Sequence, residues 1–147
     1  MDKMTEFYTF KGYQSNEEKE LSATMEDYLE MICRLLQENA VVRGGELAER
    51  LHVKPSSACK MIQQLNVAGY IHSEKYGYII LTEKGKIAGD YLLYRHDVLQ
   101  RFLCLLNHSE DELEQVEKIE HFLAETTVRN LDALAACMAA QETGNEP

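Results

Sequence analysis

Glu117, Glu120 and His121 stand at i, i+3 and i+4 in the run Val116-Glu117-Lys118-Ile119-Glu120-His121. On a helix this spacing brings the three side chains to one face, about one turn apart. Two carboxylates and an imidazole presented together offer hard oxygen donors and a nitrogen to a single point, which is a start on a divalent-metal site. The competing reading is an acidic solvated face that happens to carry a His. Three further residues could join such a site: Asp27, Glu30 and His96. Each has an ordinary explanation of its own. Thr24-Met25-Glu26-Asp27 fits a capping box in which Asp27 closes a helix N-terminus. Glu30 fits a surface position, and a lone His in mid-helix is more often hydrogen-bonded than metal-bound.

The elements that must position these residues are mostly helical. Met25, Leu29, Ile32 and Leu36 mark the apolar face of a helix over 24–38. Gly44-Gly45 open a short helix over 46–51, and His52-Val53-Lys54 make a tight turn. Pro55 suits the first position of a helix over 56–67 that ends near Gly69. In that helix Ala58, Met61, Ile62 and Leu65 form one face, while Ser56, Ser57, Lys60, Gln63 and Gln64 occupy the other. This is a helix-turn-helix pattern, and its polar face carries the small, cationic and amide side chains that read a DNA major groove. Two short β-branched and aromatic runs, 70–74 and 77–82, then flank Lys75-Tyr76-Gly77 and predict a hairpin wing. Lys75 and Tyr76 at its tip are placed to touch DNA, with Lys54 and Lys75 as phosphate contacts. The bland alternative is a winged helix used for protein contacts.

Thr82 caps a long helix over 83–106, with Ile87, Tyr91, Tyr94, Val98, Phe102 and Leu105 as its apolar stripe. Ser109-Glu110-Asp111-Glu112 reads as a capping box for the helix that carries Glu117, Glu120 and His121, with Leu113, Val116, Ile119 and Leu123 buried. A last helix starts at Thr126 or Thr127. Its Val128, Leu131, Leu134, Ala135 and Met138 form a face apolar enough to pack on another subunit. Residues 1–20 lack a period but hold Phe7, Tyr8, Phe10 and Tyr13, which fits an ordered arm or a mobile extension. Residues 141–147 read as a loose tail.

At 45% hydrophobic and 27% charged, the 147-residue chain has an ordinary globular composition. No apolar run approaches the ~20 residues needed to span a bilayer, and the first residues lack a signal peptide's pattern. A cytoplasmic, membrane-free protein is expected. Cys33, Cys59, Cys104 and Cys137 form no C-x-x-C pair, so reduced thiols are the default, buried where they fall in helical patterns. The net charge of −10 argues at first against nucleic acid. Its distribution argues the other way: 50–86 holds six basic and two acidic residues, while 107–147 holds two basic and ten acidic. A basic patch on an acidic protein can still bind phosphates.

With these segments in order, the chain resembles the diphtheria-toxin-repressor family of metal-dependent transcriptional regulators, in particular its manganese-responsive, two-domain branch. The segments that carry the resemblance are TMEDYLEMI (24–32), VKPSSACKMIQQL (53–65), EKYGYIILTEKGK (74–86), YRHDVLQRFL (94–103) and VEKIEHFL (116–123). The resemblance implies a mainly α fold, with a winged helix-turn-helix DNA-binding domain and a helical metal-binding and dimerisation domain. The expected divisions are an arm over 1–21, the DNA-binding domain over 22–86, the second domain over 87–140 and a tail over 141–147. It implies that Asp27, Glu30, His96, Glu117, Glu120 and His121 bind metal, as a cluster of two manganese(II) ions per subunit. Iron(II), cobalt(II), cadmium(II) or zinc(II) can substitute.

In the iron branch a sulfur residue is expected where this chain has Asp27 and Glu117; carboxylate and imidazole suit manganese(II) better. The implied function is a manganese-activated repressor of metal-uptake genes, acting as a homodimer on a double-stranded DNA operator. The chain departs from the family's pattern in its longer N-terminal arm, in the position of Gly77 in the wing, and in Phe122 after His121. The alternatives are an iron-responsive or broader divalent-metal regulator, a metal-independent winged-helix regulator, and a helical two-metal carboxylate enzyme. The last needs matched Glu-x-x-His motifs, and no such spacing occurs at the six implied ligand positions.

Overall fold

The computed structural model describes residues 8–16, 19–74 and 77–144. Lys75 and Tyr76, expected at the wing tip, lie outside the described residues. The architecture is helical with one small antiparallel sheet, which agrees with a winged helix-turn-helix joined to a helical domain. Among the described residues no helix is long and apolar enough to cross a membrane.

After a short helix α1 (Phe10–Asn16), α2 (Ala23–Glu38) supplies the central wall of the first core. Its N-cap is Ser22, whose hydroxyl accepts the Met25 amide at 3.1 Å. The expected capping box at Thr24 is therefore absent, and Asp27 is released from a capping role. Helix α3 (Gly44–Leu51) ends at His52, whose left-handed φ of 55° turns the chain sharply. Helix α4 (Pro55–Val67) begins with Pro55 in its first turn, where a missing amide costs nothing. Strands β1 (Ile71–Ser73) and β2 (Ile79–Leu81) pair with Ile71 opposite Leu81, His72 opposite Ile80 and Ser73 opposite Ile79. Val42 forms a further antiparallel bridge to Ile79, with the Ile79 amide donating to the Val42 carbonyl at 2.7 Å. Leu29, Ile32, Leu35, Leu47, Leu65, Ile71 and Ile79 are buried together. Full burial of such a side chain is worth about 2 kcal/mol.

Helix α5 (Glu83–Asn107) is capped by Thr82, whose hydroxyl accepts the Gly85 amide at 3.1 Å. Its first half packs in the first core through Leu92. Its second half builds another core, where Leu99 and Leu103 meet Val116 of α6 (Leu113–Ile119) and Leu131 of α7 (Glu125–Gly144). The expected stripe on α5 is partly wrong. Ile87 is 64% exposed, whereas Gly85 and Gly89 are buried. A Cβ at Gly85 would fall 1.8 Å from the Tyr70 carbonyl oxygen, and one at Gly89 would fall 2.2 Å from Cys33 Sγ. The helix meets the wing and α2 through glycines, which a search for apolar residues passes over. Gly85→Ala should cost about 3 kcal/mol, because the obstructing atom is backbone. Thermal unfolding of the variant checks this; an unchanged midpoint would contradict the close packing.

Three other details differ from expectation. Ser109 does not cap α6. Its hydroxyl donates to Glu112 at 2.6 Å, while Asp111 accepts the Leu113 amide at 2.9 Å, so the helix starts later than predicted. Cys59 is exposed on α4 rather than buried. Helix α7 runs on to Gly144, into the stretch expected as a tail.

Where it is described, the arm packs on the rest of the chain. The Phe10 ring meets the Phe122 ring edge-on with centroids 4.8 Å apart, and Lys19 donates to the His121 carbonyl at 2.6 Å. Glu20 accepts from the Tyr70 hydroxyl and from Lys84.

Candidate metal centre and nucleic-acid interface

All six residues singled out as ligands converge on the junction of α2, α5 and α6. Asp27 and Glu30 project from α2, His96 from α5, and Glu117 from the last turn of α6. Glu120 and His121 do not continue that helix. They stand on a 3-10 turn, Glu120–Phe122, that follows it. The tighter winding turns neighbouring side chains farther apart than an α-helix does. As a result the run does not present a single face, and its members divide between two groups of ligand atoms. Glu30, His96, Glu117 and Glu120 form one, and Asp27, Glu120 and His121 form the other, each group having its atoms within 4.8 Å of one another.

In the first group His96 Nδ1 lies 3.3 Å from Glu120 Oε2, 3.5 Å from Glu117 Oε1 and 3.9 Å from Glu30 Oε2. Burial, reinforced by the neighbouring Glu120 charge, pushes the Glu30 carboxyl up to about 7, despite Arg34 and His96 nearby. Burial and Glu120 also raise Glu117. The hydrogen bond to Glu120 raises His96 against the effect of burial. In the second group His121 Nε2 lies 3.0 Å from Asp27 Oδ1 and 3.8 Å from Glu120 Oε1. Burial pulls the His121 imidazole down, but its hydrogen bonds to Asp27 and Glu26 outweigh that and carry it up to about 9. The carboxylates crowded around both imidazoles thus favour their protonated forms, most strongly at His121.

Glu120 belongs to both groups. It is 1% exposed, and its Oε1 has no hydrogen-bond partner. A buried carboxylate oxygen without a donor is costly. The donor set, four carboxylates and two imidazoles, is what a hard or borderline divalent cation takes, and the orphaned Glu120 oxygen lies among it. The residues therefore fit the metal that the resemblance implied.

Two further charged residues in this junction were missed by sequence reasoning. Glu26 is buried on α2 and Arg95 is buried on α5. Arg95 donates to both Glu26 oxygens, at 3.3 and 3.4 Å, and Glu26 Oε1 lies 2.9 Å from His121 Nδ1. Burial pushes Glu26 up, but His121 and Arg95 more than offset this and hold it below the usual carboxylate range. A signal was present. Glu26 stands three residues before the buried Leu29, and Arg95 stands between the buried Leu92 and Leu99. A charge in register with an apolar stripe requires a buried partner.

The nucleic-acid side is simpler. Lys54, Ser56, Ser57, Lys60, Gln63 and Gln64 are all exposed, on α4 or just before it. Ala58 and Leu65, on the opposite face, are buried in the first core. The polar face is therefore free to enter a groove.

The matches to known proteins follow the same division. The family described as iron dependent repressor, N-terminal DNA binding domain, matches residues 20–79. The iron dependent repressor metal binding and dimerisation domain matches residues 82–146. The HTH-type transcriptional regulator MntR of Bacillus pumilus is 41% identical over 112 residues, covering 76% of this chain and 78% of that protein. MntR of Geobacillus thermodenitrificans is 44% identical over 102 residues, covering 69% of this chain and 72% of that protein. A solved structure of a manganese-dependent transcriptional repressor in complex with manganese superposes with a TM-score of 0.68 at 27% identity. That likeness covers 76% of this chain and 52% of the solved one, so the chain spans about half the length of that relative. Two domain matches in sequence, and relatives matched over most of their length, place this chain in the iron-dependent repressor family of metal-dependent, DNA-binding transcriptional regulators.

Proposed function

We propose that this protein is a manganese-activated repressor of metal-uptake genes, binding a double-stranded DNA operator as a homodimer. One observation carries the reading. The ligand atoms come from α2, which shares a core with the recognition helix α4, and from α5, α6 and the turn after α6, which build the second core. Asp27, Glu30, His96, Glu117, Glu120 and His121 are the proposed ligands, in two groups that suit two ions per subunit. When bound, divalent cations supply the positive charge that four crowded carboxylates lack.

Asp27 and Glu30 are then held to the residues of the second core, so the orientation of α4 is fixed relative to the dimerising helices. A fixed orientation suits two recognition helices to successive major grooves. In the metal-free protein a proton held on His121, whose imidazole is carried up to about 9, supplies part of that charge. Manganese suits the set because oxygen donors dominate and Asp27 and Glu117 stand where softer sulfur ligands would favour other metals. Iron(II), cobalt(II), cadmium(II) and zinc(II) can enter the same donors.

The reading is tested by selecting operator fragments with the manganese-loaded dimer, then titrating them by fluorescence anisotropy with and without manganese(II). Coupling of about 1–3 kcal/mol between the sites corresponds to roughly 5- to 150-fold tighter DNA binding with metal. Equal affinities would reject the mechanism. Ser56, Ser57, Lys60, Gln63 and Gln64 are the proposed groove contacts, and Lys54, Lys75 and Tyr76 the proposed backbone or wing contacts. Lys60→Ala should weaken binding and reduce the slope of log affinity against log salt by about 1. Loss of neither affinity nor slope would remove α4 from the interface.

A further inference from the structure

We propose that Glu26 is a positioning residue for one of the two ions: it fixes His121 so that Nε2, not Nδ1, is the ligand atom. The inference rests on the reading of His121 as a ligand. His121 is buried, and its two nitrogens face different partners. Nδ1 lies 2.9 Å from Glu26 Oε1, closer than the 3.4 Å to Arg95 Nη2, while Nε2 lies 3.0 Å from Asp27 Oδ1 and 3.8 Å from Glu120 Oε1. Only Nε2 shares the group of ligand atoms with Asp27 and Glu120. A carboxylate that accepts the far N–H of a ligating imidazole sets its tautomer, holds its plane and makes it a better donor.

Glu26 is kept for that task and away from the cations by Arg95, which donates to both of its oxygens. Arg95 is itself buried, so Glu26 is not a surface carboxylate that drifts into range. The two come from α2 and α5, and they meet His121 on the turn after α6. The contact is therefore made across the same junction as the metal groups. Among the described residues the side-chain hydrogen-bond partners of Glu26 are Arg95 and His121, neither of which belongs to the group formed by Glu30, His96, Glu117 and Glu120. Its influence should therefore fall first on the ion of the Asp27, Glu120 and His121 group. A merely structural buried ion pair would act on the fold as a whole.

The test is manganese(II) binding to the full-length dimer followed by electron paramagnetic resonance, with Glu26→Gln, which keeps the size and an acceptor oxygen, and Glu26→Ala. Removing such an outer carboxylate typically costs 10- to 100-fold in metal affinity. Glu26→Gln should weaken one of the two ions about tenfold, Glu26→Ala that same ion up to 100-fold, and the other ion should stay within about twofold. Nitrogen-15 NMR of the zinc-loaded parent should show the His121 proton on Nδ1. Equal weakening of both ions, no weakening of either, or metal on Nδ1 would overturn the proposal. His121→Ala is measured in parallel. If it loses no ion, the ligand assignment itself has failed; if it loses one while the Glu26 variants lose none, only the positioning role has failed. Glu26→Gln preserves the packing, so the result stands even if Glu26→Ala does not fold.

Discussion

Glu120→Gln should abolish the manganese-dependent tightening of operator binding and leave the metal-free fold at least as stable as the parent. The first effect follows from the double membership of Glu120, which contributes one oxygen beside His96 and the other beside His121. Removing its charge leaves both groups a carboxylate short, whereas loss of Asp27 or Glu30 weakens one. The difference of roughly 5- to 150-fold between loaded and metal-free DNA affinity should collapse to about 1. The second effect has the opposite sign from most core substitutions. Glu120 is buried with an unpaired oxygen and raises the carboxyls of both Glu30 and Glu117. An amide of the same shape carries no charge to bury and repels neither neighbour, which offsets its weaker contacts to His96 and His121. Anisotropy titrations and thermal unfolding without metal check the pair of outcomes. A variant that retains its metal response would remove Glu120 from the site.

The metal-free protein should lose stability steadily between about pH 4.5 and 9, and manganese should restore more stability the higher the pH. Glu30 is raised from 4.5 to about 7 in the fold. Between those values the folded state binds more protons than the unfolded chain, so raising the pH favours unfolding. His121 is raised from 6.5 to about 9. Its stabilisation is fully present below 6.5 and is lost as the pH rises through 9, again favouring unfolding. Each shift is on the order of 3 kcal/mol. Glu26, held low, acts only at more acid pH, where its stabilisation is lost as the pH falls below its unfolded value of 4.5. Metal ligation needs Glu30 as carboxylate and His121 without its Nε2 proton. Calorimetric melting of the dimer from pH 5.5 to 8.5 should show a falling midpoint without manganese and a widening gap with it. A manganese increment that is flat across this range would show that neither proton is displaced.

Much of this was legible in the sequence because the relevant signals are local. Pro55, the polar face of α4 and the alternating runs of the wing are one-dimensional patterns, and the helices formed where they predict. The six proposed ligands were legible as a set only through the resemblance. Spacing alone left each with an ordinary explanation, and the capping box that excused Asp27 gave way once Ser22 proved to be the cap. What was not legible depends on neighbours distant in sequence. Gly85 and Gly89 carry no hydrophobic signal, yet they decide which face of α5 packs. The break from α6 into the 3-10 turn at Glu120 has no breaker residue to announce it, so one expected face became two groups. Glu26 and Arg95 needed a contact across 69 positions.

The arm gives the proposed switch its resting level. Phe10 on Phe122 and Lys19 on the His121 carbonyl bind it to the segment that carries two of the proposed ligands, while Glu20 holds Tyr70 and Lys84. These ties span the same two halves that the proposed ligand set joins, and none of them uses a side chain of that set. Any such tie that favours the joined arrangement shifts the population towards it before metal arrives. In a repressor of this kind that means more basal repression and a narrower dynamic range, with a smaller share of the output left for manganese to control.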